Sequence, residues 1–135
     1  MSLLELTLVV FTLLVLITIV LLGARAWKRG GDRASCVLVL RNMQMATRSY
    51  QNLYGYSDGS RPVAENGSQD IARQLHAKGY IEDKLFEQAI GNEPCAGGGT
   101  YQSAAPDVFP ALGQLYLSCS LSARDGHEPS AHGDW

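Results

Sequence analysis

The chain has 135 residues, with 13 acidic and 11 basic side chains, a net charge of −2 and 46% hydrophobic residues. Once an N-terminal apolar segment is set aside, the remainder suffices for one small domain, near the lower limit for a core that holds without a staple or a partner. The charge is unevenly placed: Arg25 to Arg48 carries six basic residues against Asp32 alone, and Ser49 to Trp135 carries five against eleven acids. That sign disfavours nucleic-acid binding by the C-terminal part, so no specific nucleic acid is expected as a partner. A basic stem and an acidic head attract each other between copies, or hold the stem near anionic lipid.

Residues 1–24 come first. Glu5 stands directly before 19 uncharged residues, Leu6 to Ala24, after which Arg25, Lys28, Arg29 and Arg33 follow. As a helix the run spans about 28 Å, enough for the hydrocarbon core of a bilayer. A secretory signal would open on basic residues and close on a small-residue cleavage site. Here nothing basic precedes the run and Arg25-Ala26-Trp27-Lys28 is a poor exit, so a permanent span is the expectation. Basic residues after a span favour a cytoplasmic C-terminal side, and the cysteines below argue against that side. An acid at the mouth of a membrane helix is costly unless paired. The natural partner for Glu5 is an α-amino group, either the chain's own or that of a neighbouring copy.

Residues 25–54 read as an amphipathic continuation of the same helix. Cys36, Val39, Leu40, Met43, Ala46, Tyr50, Leu53 and Tyr54 form an apolar stripe, with Arg41, Gln44, Arg48 and Gln51 elsewhere on the surface. Gly30-Gly31 is a place to loosen or bend, Gly23 is the weak point inside the span, and Gly55 is the terminator. A loop from Tyr56 to Gly67 follows. Ser68 is the expected N-cap of a helix through His76 that stops at Gly79, and a second short helix covers Asp83 to Ile90. Thr100–Gln102 and Gln114–Ser118 read as strands joined by a Pro-bracketed loop. The small head thus covers 55–122, and Ala123 to Trp135, lacking an apolar period, is expected as a tail on the surface or across a neighbour. The fold class is α+β: a long N-terminal helix packed on a small head of short helices and an antiparallel hairpin.

Three cysteines are present. Cys95 precedes a glycine-rich turn and the first strand, and Cys119 ends the second, so the antiparallel pair can bring the two within disulfide distance. Such a bridge would stabilise the domain by about 3 kcal/mol and belongs outside the cytosol. Cys36 is read as a separate buried thiol. The paired spacing of a zinc site is missing, so no metal and no cofactor are expected. His76, His127 and His132 are dispersed, the first on a solvated helix face and the others in the tail. Gly97-Gly98-Gly99 lacks the lysine and helix of a phosphate loop. Asp107 alone is thin support for calcium, and Asn66-Gly67-Ser68 reads as a turn and helix cap before it reads as a glycosylation sequon. No catalytic constellation emerges, and the chain is not expected to be an enzyme. Phe11, Trp27, Tyr50, Tyr54 and Tyr56 read as packing and interfacial anchors rather than as an electron path.

Met1-Ser2-Leu3-Leu4-Glu5-Leu6-Thr7-Leu8-Val9-Val10 resembles the mature N-terminus of type IV pilins and type II secretion pseudopilins. That family begins with Phe or Met, carries Glu at the fifth mature position and continues into a long apolar helix. The proline that type IVa members place near mature position 22 is Leu22 here. Cys95-Ala96-Gly97-Gly98-Gly99-Thr100-Tyr101, with Cys119-Ser120 and Gly126-His127, also resembles a C-terminal Cys-Pro-x-Gly-Gly-x-Tyr, Cys-Ser, Gly-His pattern of some pilin-like proteins. Ala96 replaces the proline, and one glycine is extra. The resemblance implies a leader removed by prepilin peptidase, an N-methylated Met1, and a monomer held in the inner membrane before assembly into a cell-surface filament. It also implies self-association through Glu5 and a neighbour's Met1 amine, with a pilus assembly machinery as partner. Roles of that family include adhesion, motility and secretion. A secretion pseudopilin is the alternative within the family, and a single-pass anchored extracytoplasmic binding module the alternative outside it.

Overall fold

The computed structural model describes residues 2–135. The chain is α+β and divides into two compact units, the first ending at Gly31 and the second running Asp32–Trp135. The boundary cuts the expected 25–54 segment in two, because the C-terminal part of the long helix is the central element of the head's own core.

Helix α1 runs Leu3–Tyr54. Its glycines do not interrupt it. Gly23, Gly30 and Gly31 all lie in helical backbone with open space around them. Each costs up to about 1 kcal/mol relative to Ala, but every N–H of the i→i−4 ladder is kept, which proline would not allow. In the first unit the apolar surface is bare: Leu3 to Leu22 expose large hydrophobic side chains all around the helix, and Trp27 is 85% exposed. Its most apolar 18-residue window has a mean hydropathy of 2.9 and none of it is buried, so this stretch is long and apolar enough to cross a membrane.

In the second unit α1 buries Cys36, Leu40, Met43, Gln44, Thr47, Tyr50 and Gln51, a set spaced to share one helix face. The expected stripe is shifted. Leu53 and Tyr54 are exposed, and Gln44 and Gln51, read as surface, are buried. The reason is hydrogen bonding. Gln44 Nε2 donates to the Gln114 carbonyl at 3.0 Å, while its Oε1 accepts the Tyr116 N–H at 2.8 Å. Gln51 Nε2 donates to Asp58 at 2.6 Å. Gln44 therefore stitches irregular loop backbone to the helix, where an apolar residue would leave buried polar groups unpaired, and Gln51 ties the helix to the Asp58 side chain of the following loop.

Helices α2 (Ile71–Ala77) and α3 (Asp83–Ala89) follow, and the N-cap of α2 is Asp70 rather than Ser68. Strands β1 (Tyr101–Gln102) and β2 (Ser118–Cys119) pair antiparallel, with Tyr101 opposite Cys119 and Gln102 opposite Ser118. Both strands are shorter than expected. Tyr101 and Cys119 face the core, and their neighbours face solvent. A short α4 (Ser122–Asp125) ends at Gly126. The segment expected as a tail instead folds onto the head: His127 and Pro129 are buried, and Arg48 donates to the Trp135 carbonyl at 2.9 Å. An apolar period is no requirement for docking when the anchoring contacts are single side chains and backbone carbonyls.

Candidate functional site

Two places carry chemistry. At the start of α1 the Ser2 backbone N–H donates to the Glu5 carboxylate at 2.9 Å, and the Glu5 N–H donates to Ser2 Oγ at 3.3 Å. This reciprocal Ser-x-x-Glu arrangement is a capping box, which satisfies two of the helix's orphan donors. The pattern was readable in Ser2-Leu3-Leu4-Glu5, yet the partner expected for Glu5 was an α-amino group, of its own chain or a neighbour's, and not the Ser2 backbone. Met1, the proposed assembly and methylation residue, lies outside the described residues.

The second place lies in the core of the unit Asp32–Trp135. Cys36 comes from α1, Cys95 from the loop before β1, Cys119 from β2 and His127 from the segment after α4. Their Sγ and ring-nitrogen atoms all lie within 4.8 Å of one another, and all four side chains are buried. The three thiols are free. Cys95 and Cys119, expected as a disulfide, are therefore unbonded here, and Cys36, expected to stand apart, lies beside them. His127, expected in a surface tail, is 4% exposed, with Nδ1 at 3.2 Å from Cys95 Sγ.

Local backbone explains the convergence. The Cys95 N–H donates to the Gly99 carbonyl at 2.7 Å, and the Gly98 N–H to the Cys95 carbonyl at 2.8 Å. The loop therefore closes on itself and turns Cys95 back toward the β1–β2 pair. Gly98 sits at φ +85°, a left-handed position that glycine occupies without a steric penalty. Gly97 is needed for a different reason: a Cβ there would lie 2.7 Å from His127 Cε1. The ring occupies the space a side chain would take. The Gly97 N–H also points at Cys95 Sγ at 3.4 Å.

Burial pushes the Cys36 thiol far above its ordinary range, with a hydrogen bond from Tyr101 acting the other way. Burial likewise raises Cys119, opposed by a backbone hydrogen bond from Leu121. Tyr101 is raised by burial first and by its Cys36 contact second. As free thiols Cys36 and Cys119 are protonated at neutral pH and poor nucleophiles. The remaining candidates have structural partners. His76 Nε2 lies 2.7 Å from Asp83 Oδ1 and its ring stacks on Phe86 at 4.5 Å. His132 lies 3.8 Å from Glu128. Asp107 pairs with Arg61 at 3.3 Å. Asn66 occupies a turn at φ 49° closed by the Glu65–Ser68 bridge. Tyr50, Tyr56 and Phe109 pack together, with ring centroids 5.0 to 6.1 Å apart.

Compared with known proteins, the chain matches no family model, no curated protein and no solved structure.

Proposed function

We propose that this chain is a structural subunit that polymerises into a type IV pilus-like filament through its N-terminal helix. The observation that carries the reading is an apolar helix surface bare on every side from Leu3 to Leu22, headed by the single acid Glu5. Such a surface is compatible with lipid or with other copies of itself, and not with water. In a membrane the monomer is stored, and in a filament the same side chains pack against neighbouring stems. Moving from lipid to protein neighbours gains packing rather than hydrophobic energy, so the register must come from something directional. Glu5 supplies it by pairing with the N-terminal amine of the next subunit, in surroundings where an unpaired charge is expensive. A contact between two different surfaces repeats without closing, which gives an open helical filament. The implied partners are further copies of the chain, the inner membrane, prepilin peptidase and an assembly machinery. A secretion pseudopilus uses the same contacts and ends in the periplasm instead of at the cell surface.

One observation favours the other class, a membrane-anchored binding module. The capping box already gives Glu5 a use within its own chain. Glu5→Gln separates the two, because glutamine keeps a capping oxygen and loses the charge. If the filament reading holds, Glu5→Gln accumulates in the membrane at wild-type level while sheared filaments fall about a hundredfold, as expected for a buried amine left unpaired. Electron microscopy and immunoblotting of the sheared fraction measure this. Wild-type filament yield from Glu5→Gln would sink the pairing, and absence of any fibre from the native chain would favour the anchored module.

A further inference from the structure

Three thiols and an imidazole within 4.8 Å of one another, all buried and drawn from four separate segments, form a donor set rather than a pair plus bystanders. We propose that Cys36, Cys95, Cys119 and His127 bind one zinc ion in a closed tetrahedral site of three thiolates and one imidazole. Tetrahedral donors on zinc–sulfur bonds of about 2.3 Å stand about 3.8 Å apart. The observed spread therefore needs shifts of no more than about an ångström to close on a metal.

Zinc accounts for more of the geometry than a disulfide does. A bridge between Cys95 and Cys119 needs a sulfur separation of about 2.05 Å and uses two of the four groups. It leaves the Cys36 thiol buried, and it leaves a buried imidazole whose Nδ1 has a sulfur as its neighbour. The metal uses all four, with Nδ1 as the ring nitrogen that faces Cys95. Each thiol that binds gives its proton to solvent, so three thiolates and a dication leave a single negative charge in the site. A donor to that charge is in place: the Gly97 N–H at 3.4 Å from Cys95 Sγ. Such an outer contact holds a thiolate ligand in a metal site. With all four positions taken by protein, the site has no open coordination position for substrate, and its role is structural. It ties α1 to the loop before β1, to β2 and to the segment after α4, supplying the staple that a small head needs. The proposal is independent of the filament reading.

The test uses the full chain, purified in detergent under reducing conditions. Elemental analysis is expected to find one zinc per chain. Titration of the metal-free protein with cobalt(II) is expected to saturate at one equivalent, with thiolate-to-cobalt charge-transfer bands and intense tetrahedral d–d bands. Cys36→Ser and His127→Ala are each expected to weaken cobalt binding at least about a hundredfold, and Gly97→Ala, which crowds the His127 ring, by about tenfold to a hundredfold. Should the variants not fold, wild-type stoichiometry and spectrum decide the matter alone. A metal-free protein whose alkylation map joins Cys95 to Cys119 overturns the site. So does a cobalt spectrum without thiolate bands, or unchanged affinity in Cys36→Ser.

Discussion

Arg48 is read from sequence as a surface charge on the polar side of a helix, and it is the residue on which the loops of the head converge. Its Nη1 donates to Gln51 at 2.8 Å, to the Pro110 carbonyl at 2.7 Å and to Asp58 at 3.2 Å, and its Nη2 to the Ala111 and Trp135 carbonyls at 2.8 and 2.9 Å. Arg48→Met keeps the stem of the side chain and orphans those carbonyls. It should destabilise the head by about 3 kcal/mol in chemical denaturation. Asp58 reports the same network through pH. The Gln51 amide first, then the Leu112 N–H and Arg48, hold its carboxyl below the ordinary value of 3.8. A depressed carboxyl stabilises the fold fully above its unfolded value, and the contribution disappears as pH falls through the lower, folded value. The stability gap between the native chain and Asp58→Asn should therefore be constant from about pH 7 to pH 5 and close below 3.8. A gap that widens on acidification would contradict this assignment.

At the scale of elements, α2 shows how the choice of cap is made. Ser68 and Asp70 both have N-cap chemistry, and the sequence favours Ser68 because it stands before the run. In the fold, Ser68 is taken by a turn: it pairs with Glu65 across the Asn66-Gly67 reversal, and its Oγ accepts the Asp70 N–H at 3.2 Å. The Asp70 carboxylate is then the group that reaches the Arg73 N–H, at 3.3 Å. Asp70→Ala should cost about 1 kcal/mol, and Ser68→Ala less, in urea unfolding of the reduced protein. The reverse order would assign the cap to Ser68. The existence of α2 and α3 was legible because glycines at 79 and 91 bound short periodic runs. The strands were legible in place but not in length, since the Gln114 carbonyl and the Tyr116 N–H bond to the Gln44 side chain of α1 instead of extending the ladder beyond Gln102 and Ser118. The capping box at Ser2 and Glu5 was missed, although the Ser-x-x-Glu spacing that marks it stands in the sequence.

For the molecule as a whole, the division at Gly31/Asp32 separates a bare apolar helix from a unit with its own core. The full chain should enter the detergent phase in a cloud-point separation, and a fragment covering 32–135 should remain in the aqueous phase. A fragment found in the detergent phase would show that the head carries membrane affinity of its own. That division of solvents follows from the order of residues along the chain. Nineteen uncharged residues in a row are a linear property, and so are helix periodicity, the glycine stops and the charge asymmetry. The α+β class and the long helix were therefore determined by sequence alone. The Cys36, Cys95, Cys119 and His127 cluster was not, because Cys36 lies far from the other three in the chain and the four lack the local spacing that marks a metal motif. Only the packing of α1 against the β1–β2 pair, the closure of the Cys95 loop and the return of the chain after α4 bring those four side chains together. The reason is physical: propensity and hydropathy act between near neighbours, whereas a binding site is a distance between residues that only long-range packing sets.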